Sequence, residues 1–285
     1  MDVCLILDNP ETPKHPVLGT VLHELSARHT VRLLDVRTLT GDETIAREQA
    51  LPLADLYLLK SHTLQALEVA RHLEQRGALV VNSWASSTAC RDRVLMAQRM
   101  EEARLPYPHT WSVDSLESLR RQDRLLSTLK FPLVVKSRYS RRGDLVDKVR
   151  DVERLHALAE RRSEEPVILQ EFVDGGGWDL KLWVIDRHIF AARRRTPLEA
   201  NAPRDDIAIR AETVPSDWRS MTFEIGRIFG LRLYGVDLLV NERGPLVVDV
   251  NSFPGFRGVA GAARALIALV EGLLEERQVA VCPPS

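Results

Sequence analysis

LYGVDLLVNERGPLVVDVNSFPG, residues 233–255, is the stretch whose reading decides this chain. Two apolar runs, LYGVDLLV and PLVVDV, flank Asn241-Glu242-Arg243-Gly244, a pattern that predicts two antiparallel strands joined by a tight turn. Gly244 suits the last position of a three-residue turn, where a left-handed backbone is required. With Asn241 set opposite Pro245, the register places Asp237 across from Asp249. Side chains alternate along a strand, so Asp249 and Asn251 share a face and Asp237 joins them. A four-residue loop would put the aspartates on opposite faces. A plain strand end before Phe253-Pro254-Gly255 accounts for Asp249 and Asn251 but not for Asp237. Carboxylates flanked by Val247, Val248 and Val250 are costly without a cation. Hard magnesium takes one or two carboxylates and completes its shell with phosphate and water. Asp237, Asp249 and Asn251 therefore read as half of a site for a nucleotide-bound metal.

Outward from this hairpin the chain alternates strand and helix patterns. Residues 1 to about 90 carry VCLILD, VLGTVLHELSARH, VRLLDV, ADLYLLK, LQALEVARHLEQRG and ALVVN in turn, which predicts a small parallel α/β layer. A helix from Asp92 to Arg104 is stopped by Leu105-Pro106-Tyr107-Pro108 and leads into the strand HTWSV. Helices over 115–129 and 147–162 alternate with the strands FPLVVK and PVILQEFV. After Gly175-Gly176-Gly177, DLKLWVI and HIFAARRR form an antiparallel pair turned at Asp186-Arg187. Residues 197–214 read as a loop or weak strand, and helices at 216–229 and 261–276 complete the pattern. The domain reading is 1–90, 91–174 and 175–285.

The 285 residues are 45% apolar and 28% charged, with a formal net charge of -1. That balance is globular and offers no overall electrostatic case for a nucleic-acid or membrane partner. Cys4, Cys90 and Cys282 lack metal-ligand spacing and fit a reducing cytoplasm better than a disulfide framework. MDVCLILDNPE has no basic leader and reads as a first strand rather than a signal peptide.

LYGVDLLVNERGPLVVDVNSFPGFRGV resembles the magnesium-binding end of ATP-grasp enzymes. GVD, ERGPLV and VNS-PG are similar to the RimK-type and LysX-type carboxylate-amine ligases. Asp249 and NSFPGF are similar to the inositol-phosphate kinases of the same superfamily. The resemblance spans roughly residues 90 to 260. It implies an α/β and α+β fold in which an N-terminal parallel domain and two α+β subdomains enclose ATP. By the same resemblance Lys136, ending FPLVVK, contacts ATP phosphates, followed by a phosphate-covering loop in which Arg138, Arg141 and Arg142 replace the usual glycines. Arg93 stands near the phosphates. The strand QEFV supplies backbone at Glu171, Phe172 and Val173 to adenine, with Asp174 or Asp179 on the ribose, and Lys181 faces the phosphates. Period two aims Arg193 and Arg195 together toward the reacting group and Arg194 toward solvent.

Two activities follow from the resemblance. A ligase would phosphorylate a carboxylate on a small molecule or peptide and pass the acyl group to an amine co-substrate, with ATP and magnesium. A kinase would phosphorylate a polyanionic alcohol, favoured by Arg138, Arg141, Arg142 and Arg257 and by Lys60 and His62 in YLLKSHT. His62 alone reads as a helix-capping surface residue. The kinases' histidine between hinge and lysine is replaced here by Asp174-Gly175-Gly176-Gly177-Trp178-Asp179, which favours the ligase. Substrate identity, set by loops at 60–66, 138–144 and 197–210, and oligomeric state, including a homo-oligomer, stay open.

Overall fold

The computed structural model describes residues 1–39, 52–141, 143–162, 164–196 and 207–281. Its first layer is a parallel sheet of β1 (Asp2–Leu7), β2 (Thr30–Asp35), β3 (Leu56–Leu59) and β4 (Val80–Val81), ordered β2-β1-β3-β4. β1 and β3 are buried almost throughout, hence their unbroken apolar runs. Helix α1 (Pro16–Ser26) opens on a proline, and α2 (Leu64–Gln75) buries the stripe Ala66, Leu67, Ala70 and Leu73. The cap of α2 is Thr63, whose hydroxyl accepts from the Ala66 amide, and not His62. Next come α3 (Trp84–Arg91), capped by Ser83, and α4 (Arg93–Glu102), capped by Asp92.

The second sheet is antiparallel: β5 (Thr110–Val113), β6 (Leu133–Ser137), β7 (Val146–Val149) and β8 (Val167–Glu171), in the order β5-β8-β6-β7. Two expectations fail here. The helix expected over 115–129 is a pair of short helices, α5 (Leu116–Leu119) and α6 (Asp123–Thr128), because the Ser115–Ser118 capping box makes a separate first turn. The helix expected from 147 begins later, as α7 (Val152–Arg161) behind its cap Asp151, and residues 146–149 instead pair with β6.

The third sheet is also antiparallel: β9 (Trp178–Ile185), β10 (His188–Arg195), β11 (Ile207–Ile209), β12 (Leu233–Asn241) and β13 (Gly244–Asn251), ordered β11-β10-β9-β12-β13. Helices α8 (Ser216–Phe229) and α9 (Ala262–Val281) cover it on opposite faces. One core joins Leu5 and Leu58 of the first sheet to Trp183 and Ile185 of β9 and Leu266 and Leu269 of α9, so the parallel layer and the third sheet share apolar packing. The second sheet has its own core around Leu133, Val135, Leu155 and Leu169.

The β12–β13 hairpin reaches the expected pairing by a different route. Asn241 pairs with Gly244, so the turn holds two residues, Glu242 and Arg243, with Gly244 at φ +105°. Continued unbroken, that register would miss Asp249. A β-bulge intervenes: Leu238 pairs with Val247 while Asp237 pairs with Asp249, leaving Val248 as the extra residue. Among the described residues no helix is long and apolar enough to cross a membrane. Cys4 and Cys90 are buried free thiols, and Cys282 lies outside the described residues.

Candidate active site

Between the second and third sheets lies a cavity of about 130 Å³. The second sheet contributes Lys136, Val146 and the strand end Gln170–Val173, α4 contributes Arg93, and the third sheet contributes Asp179, Asp237, Val248 and Asp249. Asp179 and Lys181 alternate onto one face of β9, and Lys181 is paired with Asp237, which is paired with Asp249. Directly paired antiparallel residues point the same way, so these four charged groups share a face.

Their electrostatics are uneven. The Lys181 ammonium lies 2.6 Å from Asp237 Oδ1. Lys136 Nζ donates to the carbonyl of Val248, the bulged residue, at 3.1 Å. Burial holds the Lys136 ammonium down to about 8, partly opposed by the charge of Asp249. Asp249 is half-buried as a residue, but its Oδ1 is sealed from solvent with no hydrogen-bond partner. Its acidity is weakened by burial, against the pull of Arg93 and Lys136. Asp179 Oδ1 is likewise sealed and unpartnered, and burial, reinforced by Asp237, raises that carboxyl to about 6.

These orphaned oxygens test the metal reading. Asp249, with one oxygen lacking a protein donor, stands opposite Asp237 on the same face, and such a pair suits a divalent cation that draws its other ligands from phosphates and water. Asn251 is the weaker third member: its Oδ1 accepts from the Phe253 amide at 3.0 Å, and it does not line the cavity. Among the described residues no three His, Cys, Asp or Glu side chains are gathered to hold a metal ion unaided. The donor set fits magnesium carried in on a nucleotide, not a resident all-protein metal site.

The other expected positions separate clearly. Glu171, Phe172 and Val173 all line the cavity. The Glu171 amide already donates to the His109 carbonyl, and the Lys148 ammonium stands 3.4 Å from the centre of the Phe172 ring. Of the two acids considered for the ribose, Asp179 lines the cavity, whereas Asp174 turns away and accepts from the Gly176 amide. Arg93 is buried, lines the cavity and donates through NH1 to the Ser137 carbonyl and to Asp144 Oδ2, each at 2.7 Å. Arg138 forks onto Asp92, and Arg141 pairs with Glu165 at 2.7 Å. Arg142 lies outside the described residues.

The arginine run needs a correction. β10 pairs Arg193 with Leu180, Arg194 with Asp179 and Arg195 with Trp178. Arg194 therefore belongs to the face of Asp179 and Lys181, and Arg193 and Arg195 to the opposite one. Those two guanidiniums stack on Trp178, at 4.9 and 4.1 Å from its ring centre, rather than facing the reacting group. Arg194 acts on Asp179, holding its acidity up against burial. His62 is not a free surface cap: its Nε2 lies 3.3 Å from Ser252 Oγ, and burial with the nearby Lys60 charge lowers its imidazole to about 4. Lys60 donates to the Phe253 carbonyl at 2.5 Å and sits over the Phe253 ring.

A parallel layer docked on two antiparallel α+β sheets that enclose paired acids and lysines defines an ATP-grasp enzyme. Residues 90–269 match the model of the RimK-like ATP-grasp domain, and the chain belongs to that family. It is 27% identical over 217 residues to a probable alpha-L-glutamate ligase of Legionella pneumophila, covering 73% of this chain and 70% of that one. A RimK domain ATP-grasp protein from Sphaerobacter thermophilus superposes with a TM-score of 0.70 at 21% identity, over 94% of this chain and 99% of its own. The D-alanine–D-alanine ligase of Bacillus anthracis superposes with a TM-score of 0.71 at 18% identity, over 98% of this chain and 99% of its own. The family match falls on the ligase side of the two branches that the hairpin resembles.

Proposed function

We propose that this chain is an ATP-dependent carboxylate-amine ligase that works through an acyl phosphate and requires magnesium. The observation that carries the reading is the Asp249 carboxylate, one oxygen of which is sealed without a donor, beside Asp237, Lys136 and Lys181. Such a group persists in a fold when it serves a cationic ligand. The names of the relatives, a probable alpha-L-glutamate ligase and a D-alanine–D-alanine ligase, support ligation.

In this reading adenine lies along Glu171–Val173, with Asp179 toward the ribose and phosphates. Asp237 and Asp249, with Asn251 at the margin, would hold magnesium, which supplies charge neutralisation on the phosphates when bound. Lys136 leaves the Val248 carbonyl, and Lys181 leaves Asp237, to orient phosphate oxygens. The γ-phosphoryl passes to a substrate carboxylate, giving an acyl phosphate and ADP. An amine then attacks the acyl carbon, phosphate departs, and the amine loses a proton. Positioning and electrostatics provide the catalysis, with no covalent enzyme nucleophile. Arg194, on the reacting face, takes the oxyanion-stabilising part first assigned to Arg193 and Arg195. The kinase reading loses two of its basic residues, since Arg138 and Arg141 are committed to Asp92 and Glu165. A cytoplasmic location, where ATP and amino compounds are available, belongs to the same proposal.

The test supplies ATP, magnesium, mixed amino acids and hydroxylamine. Hydroxamate and ADP appear together if an acyl phosphate forms, and phosphorylated inositol without hydroxamate rejects the ligase. Asp249→Ala abolishes magnesium-dependent ATP turnover and leaves the circular dichroism unchanged; undiminished turnover rejects the metal assignment.

A further inference from the structure

The two strands of the acid hairpin are not held equally. Their ladder runs from Asn241 and Gly244 at the tip to Gly235 and Asn251 at the open end, interrupted by the bulge at Val248. Beyond the bulge lie three pairs: Asp237 with Asp249, Val236 with Val250, and Gly235 with Asn251. Across those positions β12 is also paired with β9. β13 is the last strand of its sheet and has no second neighbour, so Asp249 and Asn251 ride on a short edge segment. The bulge loosens the ladder beside it, and the placement of that segment depends on what holds its far end.

That end is held from the first layer. Asn82, in the connection from β4 to α3, is 2% exposed, and its carboxamide bridges the two strands where their ladder stops. Nδ2 donates to the Leu233 carbonyl at 2.6 Å and to the Ser252 carbonyl. Oδ1 accepts from the Arg232 and Leu233 amides at 2.8 and 3.4 Å. A carboxamide offers two donors and an oxygen with two lone pairs, and here all four are spent on backbone at the open end of the hairpin. The requirement is specific. An aspartate of the same shape would set an oxygen against two carbonyls, and an apolar residue would leave buried backbone groups of both strands unpaired. The same connection is seated by Ser86, whose Oγ donates to the Gly230 carbonyl at 3.0 Å, just past α8. Lys60 and His62 of the first layer reach Phe253 and Ser252 beside it.

We infer that Asn82 is a positioning residue for the metal site: by tying Ser252 to Leu233 it sets where Asp249 and Asn251 stand relative to Asp237, and so how tightly magnesium is held on the nucleotide. This rests on the metal reading of the hairpin and deepens it. Asn82 does not line the nucleotide cavity. It acts through the edge strand, since Ser252 directly follows Asn251 and the Gly235–Asn251 pair is the last rung before the clamp. The acids belong to the third sheet, and their spacing is governed from the first.

The experiment is calorimetric titration of the full chain with a non-hydrolysable ATP analogue, in chelator and over a series of magnesium concentrations. In Asn82→Ala the analogue's Kd in chelator matches the parent's, because Glu171–Val173 and Lys136 are untouched. The magnesium concentration giving half of the full enhancement rises about 10–100-fold, the usual loss on removing a group that orients metal ligands. Asn82→Asp keeps the shape but cannot donate to the two carbonyls; it serves if the alanine variant does not fold, and shows the same shift. Ser86→Ala is the control: it loses the neighbouring hydrogen bond to Gly230, lowers Tm and leaves the magnesium midpoint where the parent has it. A folded Asn82 variant with the parent's midpoint overturns the positioning role, and so does an equal shift in Ser86→Ala, which would mark both as general loosening. In either case the metal reading stands, because the parent still responds to magnesium. A parent whose analogue binding ignores magnesium overturns the metal reading and the role of Asn82 with it.

Discussion

Replacing Asp179 with Asn should make the metal-free protein more stable at neutral pH while weakening its hold on nucleotide. In the folded chain burial raises the Asp179 carboxyl from 3.8 to about 6. A carboxyl raised on folding contributes stability that is fully present below its unfolded value and is lost as pH rises through its folded value. The two values differ by about two pH units, and at 1.4 kcal/mol per unit the ionised side chain costs the fold ~3 kcal/mol above pH 6.5. Asn keeps the shape, cannot ionise, and replaces an oxygen that already lacks a donor. Urea unfolding with chelator present should show the variant ahead by most of that amount at pH 7.5. The gap should fall to roughly half at pH 5. The corresponding gain in Tm is on the order of 5–10 °C for a chain of this size. A gap that does not change with pH, or a variant less stable than the parent at pH 7.5, would refute the assignment of Asp179 as a charge held at a cost for its ligand.

Arg194→Ala should lower kcat by about 10²–10³, the usual loss on removing an oxyanion donor, and Arg193→Ala should leave kcat nearly unchanged; the reverse ranking in steady-state kinetics would restore the first reading of the run. Because Lys136 is held to about 8 in the free protein, kcat/KM for ATP should decline above pH 8 as the ammonium is lost, and Lys136→Arg should move that decline upward. A wild-type profile flat to high pH contradicts this. A methyl at Gly226 would run into the Tyr234 ring and hydroxyl, whose proton is donated to the Thr222 carbonyl at 2.9 Å. Gly226→Ala should therefore cost about 1–3 kcal/mol in urea unfolding with little effect on nucleotide affinity.

The acid hairpin was legible because apolar runs and a glycine turn locate two strands with little ambiguity. Its register came out correctly through two compensating departures, a turn one residue shorter than expected and a bulge at Val248 that restores the lost position. A bulge leaves no composition signal, since Val248 is as good a strand residue as its neighbours. The facing of Arg194 was recoverable and missed. The two-residue turn Asp186-Arg187 pairs Ile185 with His188, and counting from there sets Arg194 opposite Asp179. β7 was hidden because Asp147 and Lys148 are polar on a half-exposed strand, which imitates the start of a charged helix. The Trp183 indole was illegible for a different reason: its N–H is buried with no acceptor, a property of three-dimensional surroundings, and Trp183 in LWVI reads simply as core.

The bulge at Val248 also separates two things that a hairpin normally couples. Turn length and strand phase are usually one variable, since adding a residue at the tip inverts every side chain beyond it. Here the phase correction is stored four residues up the strand from Gly244, next to the acids themselves. Residues 242–243 thus form a distal tip that protein engineers could use as a graft point, tolerant of insertions that preserve the Asn241–Gly244 pair. Deleting Val248 alone would leave Val247 opposite Leu238 and Asp249 opposite Asp237, straightening the strand and removing the carbonyl that holds Lys136 without touching a single acid.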